Sequence, residues 1–150
     1  MQVSSSSIVD GRIARPHACR AKGGADQPPQ LSVRDLPAEA RYLCIVGDDP
    51  DAVRPAGKVW VHWNVFNVPA SGQLEIAAGE PLQGDVGLTT GHAKGYEGMC
   101  PPDGVHTYRF AVFACRDLLQ VDTRTPLTID AFEAKFGAQV LARAMVSGQF

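Results

Sequence analysis

The chain has 150 residues and a formal net charge of −2, which suits one domain, residues 1–150, with a core large enough to fold alone. Charges of both signs are mixed along it, and no basic block or aromatic-basic stripe indicates a nucleic-acid partner. No apolar run approaches the roughly 20 residues of a membrane span, so no integral membrane association is expected. Since residues 1–10 lack the basic and apolar segments of a signal peptide, we expect a cytoplasmic protein.

Four cysteines are scattered along the chain, namely Cys19, Cys44, Cys100 and Cys115. The sequence contains no Cys-x-x-Cys pair, which argues against a zinc knuckle or a thioredoxin-type site. Because thiols are kept reduced in the cytoplasm, we expect four free thiols and no disulfide.

Apolar runs of strand length predict the main β elements. Residues 42–46 are continuously apolar, which is typical of a central strand buried on both faces. Residues 59–68 form the longest strand pattern, and both of its faces are largely apolar. A third strand is predicted from Val105 to near Cys115, and a short one at residues 31–33. Residues 1–10 fit either a frayed end or an edge strand, and residues 69–95 are expected to form a long connection.

A helix is predicted to begin after Thr128, which is a suitable N-cap, with Asp130 in the first turn. Phe132 and Phe136 lie four residues apart on one face of this helix, and Gly137 suits its end. A closing strand is expected before residue 150. The fold class is therefore mainly β, with antiparallel sheets packed on each other and one short C-terminal helix.

Five polar side chains are predicted to meet near the ends of the three main strands. Asp49 and Asp51 follow the first strand, His62 lies in the second, and His106 and Tyr108 begin the third. Each of them alone is more typical of a structural role, such as a capping carboxylate or a hydrogen-bonded histidine. If the three strands are neighbours, however, all five groups can line one pocket.

The predicted pocket suits a small anion. The amides of Gly98, Met99 and Cys100 lie in a proline-rich turn with no helix to use them, and such turns form anion-binding concavities. The imidazoles and the phenol add further donors. Asp49 would repel an anion unless it pairs with a histidine, whose pKa it would then raise, or is itself protonated.

Two other kinds of site remain open at this stage. Two histidines and two aspartates are a usable set of metal ligands, but their spacing matches no helical metal motif, so no metal or other cofactor is predicted. A hydrolase would need a nucleophile, and Cys100 is the only one close in sequence to a histidine, since no Gly-x-Ser-x-Gly elbow is present. We therefore favour binding over catalysis, with a hydrolase or lyase that uses His and Asp as acid and base as the alternative.

Three motifs resemble those of the phosphatidylethanolamine-binding protein family, in particular its bacterial and archaeal branch of Raf-kinase-inhibitor-like proteins. They are Asp-Pro-Asp-Ala-Val at residues 49–53, His-Trp at residues 62–63, and Gly-Met-Cys-Pro-Pro-Asp-Gly-Val-His-Thr-Tyr-Arg-Phe at residues 98–110. A Pro-Pro-x-Leu stretch at residues 28–31 extends the similarity toward the N-terminus. Val53 departs from the family pattern where a second proline is usual, and Gln139 departs from it where many members have a histidine.

The resemblance implies a large central antiparallel sheet with a smaller sheet packed on it, and a pocket for phosphate-like groups. By the matching positions, that pocket would use Asp49, Asp51, His62, Gly98, Cys100, His106 and Tyr108. It also implies that the protein binds a small phosphorylated or other anionic ligand and acts on a partner protein, while a homodimer is compatible with the same pattern.

Overall fold

The computed structural model describes residues 1–150, which form ten strands and two short helices. The strands are β1 Gln2–Ser4, β2 Ile8–Val9, β3 Arg12–Ile13, β4 Leu31–Arg34, β5 Tyr42–Asp49, β6 Trp60–Pro69, β7 Leu74–Ile76, β8 Asp85–Val86, β9 Thr107–Cys115 and β10 Val140–Gln149. The helices are α1 Val53–Ala56 and α2 Ile129–Phe136. Short 3-10 turns occupy Arg15–His17, Arg20–Lys22, Pro50–Ala52 and Gly137–Gln139.

The strands form a large and a small sheet. The large sheet has seven strands in the order β2-β3-β10-β9-β5-β6-β8, and the small sheet has three in the order β1-β4-β7. All the pairings are antiparallel except that between β3 and β10. The predicted fold class is confirmed. The serine-rich start is the edge strand β1, and the connection at residues 69–95 contains two strands, β7 and β8.

Both faces of the large sheet are covered, as the apolar runs predict. Side chains alternate across a strand, so Leu43 and Ile45 of β5 face the small sheet, whereas Cys44 and Val46 face α2. On the α2 side, Phe132 stacks on Phe66 with ring centres 6.0 Å apart. This double cover explains why the middle sections of the central strands are largely apolar. Asn64 of β6 is a buried polar exception, and its side chain is hydrogen-bonded to the backbone of Leu127 at 2.8 and 3.0 Å.

Helix α2 begins where Thr128 caps it. The hydroxyl of Thr128 accepts a hydrogen bond from the amide of Ala131 at 3.1 Å, and the buried carboxylate of Asp48 accepts one from the amide of Ile129 at 3.0 Å. Arg109 donates to the same carboxylate through Nε and Nη2, at 2.8 and 2.9 Å. One aspartate at the end of β5 thus fixes both α2 and the start of β9.

Three strand ends meet at one end of the large sheet. Strand β5 ends at Asp49, and its antiparallel neighbour β6 begins at Trp60. On its other side β5 pairs with β9, where Asp48 lies opposite Arg109, so β9 begins beside the end of β5. The loop that precedes β9 and the turn that follows β5 therefore lie close together, as the anion-pocket hypothesis requires. No helix in the structure has both the length and the apolar character to cross a membrane.

Candidate binding pocket

A cavity of about 230 Å³ lies at this end of the sheet. It is smaller than the roughly 300–1,000 Å³ typical of pockets that enclose drug-sized ligands, so it suits a small ligand or one end of a larger one. The lining residues come from the turn after β5, α1, the start of β6, the loop before β9 and the start of β9: Asp49, Ala52, Pro55, Ala56, Trp60, His62, Glu97, Cys100, Pro101, Pro102, His106 and Tyr108.

Both ring nitrogens of His106 face carboxylates. Nδ1 lies 2.7 Å from Oδ2 of Asp49, and Nε2 lies 3.2 Å from Oδ1 of Asp103. A carboxylate oxygen can only accept a hydrogen bond, so both contacts are satisfied at once when the ring carries two protons. Burial opposes that charged form, but the hydrogen bonds to Asp49 and Asp103 outweigh it, and the pKa of His106 is raised above its ordinary value.

Asp49 is held in place by the turn that follows it. Its Oδ1 accepts hydrogen bonds from the amides of Asp51 and Ala52, at 2.9 and 3.2 Å, which leaves Oδ2 for His106. Asp49 is therefore the N-cap of the 3-10 turn at Pro50–Ala52, and its carboxylate also orients the imidazole of His106. The carboxylate of Asp51 accepts from the amide of Thr107 at 2.7 Å and does not line the cavity.

The surroundings of His62 favour the neutral imidazole, whereas those of His106 favour the protonated one. Its Nδ1 donates to the carbonyl oxygen of Glu97 at 2.9 Å, and its Nε2 makes no hydrogen bond within the chain. Burial lowers the pKa of His62, so the neutral ring carries its proton on Nδ1 and leaves a lone pair on Nε2. The two histidines of the pocket thus differ in charge because one faces a neutral carbonyl and the other faces two carboxylates.

Tyr108 carries the one buried polar side-chain atom in the chain that has no hydrogen-bond partner. Its ring makes an edge contact with His62, with centroids 5.2 Å apart, and stacks on His106 at 6.4 Å. Burial and then the negative charge of Asp49 raise the pKa of Tyr108, so the hydroxyl keeps its proton. A buried donor without an acceptor is unfavourable, and Tyr108 is one of the residues that line the cavity.

The turn at residues 98–100 differs from the sequence-based expectation. The amide of Gly98 donates to Asp26 at 3.1 Å, and the amide of Met99 donates to the carbonyl oxygen of His17 at 3.3 Å, so neither is free for an anion. Gly98 does not line the cavity. A side chain at this position would lie 2.4 to 2.6 Å from atoms of Asp26, Cys19 and Ala18, so the glycine allows two chain segments to pack closely.

The expectation of four free thiols is wrong, because Cys19 and Cys100 form a disulfide with their Cα atoms 5.4 Å apart. The two residues are 81 positions apart in sequence, and strand prediction gave no indication that their segments meet. Cys44 and Cys115 are free and buried, as expected. Since disulfides persist in oxidising compartments, this pairing weighs against the cytoplasmic location, which stays a prediction.

Among the lining residues that the sequence analysis missed, Trp60 and Glu97 are the two with polar groups. The carboxylate of Glu97 accepts hydrogen bonds from Trp60 Nε1 at 3.1 Å, Thr89 Oγ1 at 2.5 Å and the amide of Gly91 at 3.0 Å. The signal for Trp60 was present, because it lies two residues before His62 on the same face of β6. Glu97 gave no such signal, since it lies in an irregular loop. The structure contains no cluster of three or more His, Cys, Asp or Glu side chains arranged to hold a metal ion.

Comparisons with known proteins agree on the family. The model of the family described as phosphatidylethanolamine-binding protein matches residues 4–150. A UPF0098 protein of Methanothermobacter thermautotrophicus is 37% identical over 145 residues, which cover 93% of this chain and 91% of the relative. A UPF0098 protein of Chlamydia trachomatis is 34% identical and covers 100% of this chain and 98% of its own length.

Two solved structures have the same fold. The crystal structure of CT736, a phosphatidylethanolamine-binding protein homologue from Chlamydia trachomatis, superimposes with a TM-score of 0.80 at 30% identity over 99% of this chain and 95% of that chain. Escherichia coli YbcL gives a TM-score of 0.82 at 24% identity, over 99% of this chain and 96% of that chain. By the family match and by these relatives, the chain belongs to the phosphatidylethanolamine-binding protein family.

Proposed function

We propose that this protein binds a small phosphorylated or other oxyanionic ligand in the cavity at the ends of β5, β6 and β9. The observation that carries the proposal is the hydroxyl of Tyr108, which is buried in the cavity wall without an acceptor. An oxyanion supplies acceptor atoms, and a hydrogen bond to a charged group is stronger than one to a neutral group.

The protonation of the two histidines supports a particular form of this ligand. His106 supplies positive charge, while the neutral ring of His62 presents a lone pair on Nε2. A phosphate monoester that keeps one proton has both oxygens that accept and a hydroxyl that donates, so it complements a phenol, an imidazolium and a neutral imidazole together. The family resemblance implies a pocket for the same class of ligand.

The two carboxylates that line the cavity are already engaged, which reduces their repulsion of an anion. Asp49 accepts hydrogen bonds from two backbone amides and pairs with His106. Glu97 accepts from an indole, a hydroxyl and an amide. No lysine or arginine lines the cavity, so the imidazolium of His106 is the positive charge that the lining itself provides.

An enzyme that uses acid–base chemistry is the second candidate, and the free lone pair of His62 favours it. A neutral imidazole with an unpartnered Nε2 in a cavity is able to accept a proton from water or from a hydroxyl group. Covalent catalysis by Cys100 is ruled out in the oxidised protein, because its sulfur is bonded to Cys19. Incubation with a panel of phosphoesters tests this candidate, and binding without product would argue against it. Modulation of a partner protein and a homodimeric state stay predictions.

The replacement Tyr108→Phe tests the binding proposal, because it should weaken ligand binding without lowering the stability of the protein. Removing a hydroxyl that has no partner should leave the free energy of unfolding unchanged or raise it, whereas the affinity for inorganic phosphate at about pH 6 should fall by about 1.5–3 kcal/mol. Calorimetry measures the affinity, and urea denaturation measures the stability.

Tyr42→Phe is the matched control, since Tyr42 begins β5 at the opposite end of the sheet and its hydroxyl makes no hydrogen bond. We expect phosphate affinity to be the same in this variant as in the unmodified protein. Equal affinity in Tyr108→Phe and Tyr42→Phe would contradict a ligand contact at Tyr108.

A further inference from the structure

Asp103 contacts the nitrogen of His106 that Asp49 leaves free. Its Oδ1 lies 3.2 Å from Nε2 of His106, while its Oδ2 accepts a hydrogen bond from Nη2 of Arg54 at 2.6 Å. The other ring nitrogen already faces Asp49. In the free protein, therefore, neither nitrogen of the imidazolium is available to a ligand.

The two carboxylates on His106 differ in how firmly they are held. The side chain of Asp49 is 4% exposed and accepts two backbone hydrogen bonds, so it is fixed. The side chain of Asp103 is 44% exposed, and its only other partner is Arg54, which is itself 75% exposed. Exposed ion pairs of this kind contribute little to stability and rearrange readily. Asp103 is thus the carboxylate that a ligand is able to displace.

We propose that Asp103 is a built-in competitor, a tethered carboxylate that covers Nε2 of His106 and must be displaced before an oxyanion binds. This inference rests on the proposed function and adds a determinant of ligand affinity to it. A monocarboxylate ligand exchanges one carboxylate for another and gains little. A ligand with two negative charges interacts more strongly with the imidazolium than one carboxylate does, so it displaces Asp103 at a lower concentration, although the competition lowers the affinity of every ligand by the same factor.

The displacement has a consequence for protons that can be measured. The charged and titratable groups around His106 come from five parts of the chain: Asp49, Asp51, Arg54, His62, Glu97, Asp103 and Tyr108. Among these, only Asp103 is expected to leave Nε2 when the ligand arrives. In the unmodified protein one anion replaces another beside the imidazolium, so binding should change the pKa of His106 only slightly. Without the charge of Asp103, ligand binding should raise that pKa clearly.

The test uses inorganic sulfate, which does not titrate near neutral pH, and compares the unmodified protein with Asp103→Asn and Asp117→Asn. Asp117→Asn removes the same charge from an exposed residue that follows the far end of β9. We expect Asp103→Asn to bind sulfate about two- to fivefold more tightly, the range that an exposed ion pair contributes. Acetate binding should improve by a similar factor, because both ligands must displace the same carboxylate, and Asp117→Asn should match the unmodified protein.

The second readout is the pKa of His106 by NMR, with and without saturating sulfate. We expect free Asp103→Asn to have a lower pKa of His106 than the unmodified protein, and sulfate to raise it only in Asp103→Asn. Sulfate affinity that is equal or weaker in Asp103→Asn would overturn the competitor role while leaving the binding site intact. If the unmodified protein and Asp103→Asn both fail to bind sulfate and phosphate, the proposed function and this inference fail together.

Discussion

Removal of the disulfide between Cys19 and Cys100 should lower stability without unfolding the protein. The replacement is Cys19→Ser together with Cys100→Ser, and treatment of the unmodified protein with a dithiol reductant provides a second route to the same state. The segments that the disulfide joins are also held by hydrogen bonds, including Cys19 N to Met99 O at 2.9 Å and Tyr96 Oη to His17 O at 2.6 Å. These contacts remain in the reduced protein, so we expect the rim of the cavity to persist.

The size of the effect follows from the length of the closed loop. A cross-link between residues 81 positions apart removes conformational entropy from the unfolded chain that is worth about 4.5 kcal/mol in the loop-closure model. Measured effects are generally smaller, about 2–4 kcal/mol. For a chain of 150 residues, 1 kcal/mol shifts the melting temperature by about 3 °C, which gives an expected loss of about 6–12 °C.

Urea denaturation and thermal melting with and without reductant measure this loss. The double variant should melt at the same temperature in both conditions, which controls for effects of the reductant itself. Thiol counting on freshly purified, unreduced protein gives an independent check: we expect two free thiols after denaturation, from Cys44 and Cys115, and very slow reaction of both before it. Four free thiols after denaturation would refute the disulfide and with it the predicted loss.

Three further predictions concern the pocket and the residues that position it. His106→Ala should weaken sulfate binding by about 1.5–3 kcal/mol in a folded variant, measured by calorimetry, and unchanged affinity would make this histidine structural. Asp48→Ala should lower the free energy of unfolding by about 3–5 kcal/mol, because it leaves Arg109 half-buried without its partner, whereas exposed Asp117→Asn should change it by less than about 0.5 kcal/mol. In Asp103→Asn, sulfate affinity should fall as pH rises through the pKa of His106, whereas in the unmodified protein, where sulfate replaces a carboxylate, it should change little over the same range; affinity that is flat in Asp103→Asn would show that this charge does not hold the anion.

The fold was predictable because its signals are local. The central strands are buried on both faces, and this leaves continuous apolar runs of strand length in the sequence. The N-cap at Thr128 and the phenylalanines at positions 132 and 136 likewise fixed α2. The short strands β2 and β3 form a hairpin across Asp10-Gly11, a local turn signal that the sequence analysis did not use. Strand β8 has only two residues and pairs with β6, which is distant in sequence, so no local pattern indicates it.

The location of the pocket was predictable for a related reason. Antiparallel neighbours bring the end of one strand beside the start of the next, so polar residues at three strand termini were expected to meet. The functions of the individual groups were not predictable, because they depend on long-range contacts. The amides of Gly98 and Met99 are used by the segment at residues 17–26, and the contact of Asp103 with His106 depends on how the loop folds back.

The two histidines of the pocket show that burial alone does not set the charge of a site. His62 and His106 are 4% and 1% exposed, yet the pKa of the first is lowered and that of the second is raised. The difference comes from their partners, a neutral carbonyl for His62 and two carboxylates for His106. Because its folded pKa is raised, His106 contributes stability that is complete below about pH 6.5, its ordinary pKa, and is lost as pH rises through the folded value.

His62 acts on stability in the opposite direction. Its folded pKa is lowered, so the unfolded chain binds the proton first, and stability falls as pH drops below about 6.5. A bound anion favours the protonated form of His62 and so counteracts this loss. Sulfate should therefore protect the protein against acid more strongly than against alkali, and the protection should require Nε2 of His62. Protection is stronger against acid because bound sulfate gives His62 a negatively charged partner, which it lacks in the free protein. His106 already has two such partners, Asp49 and Asp103, so sulfate adds less to its protonated form.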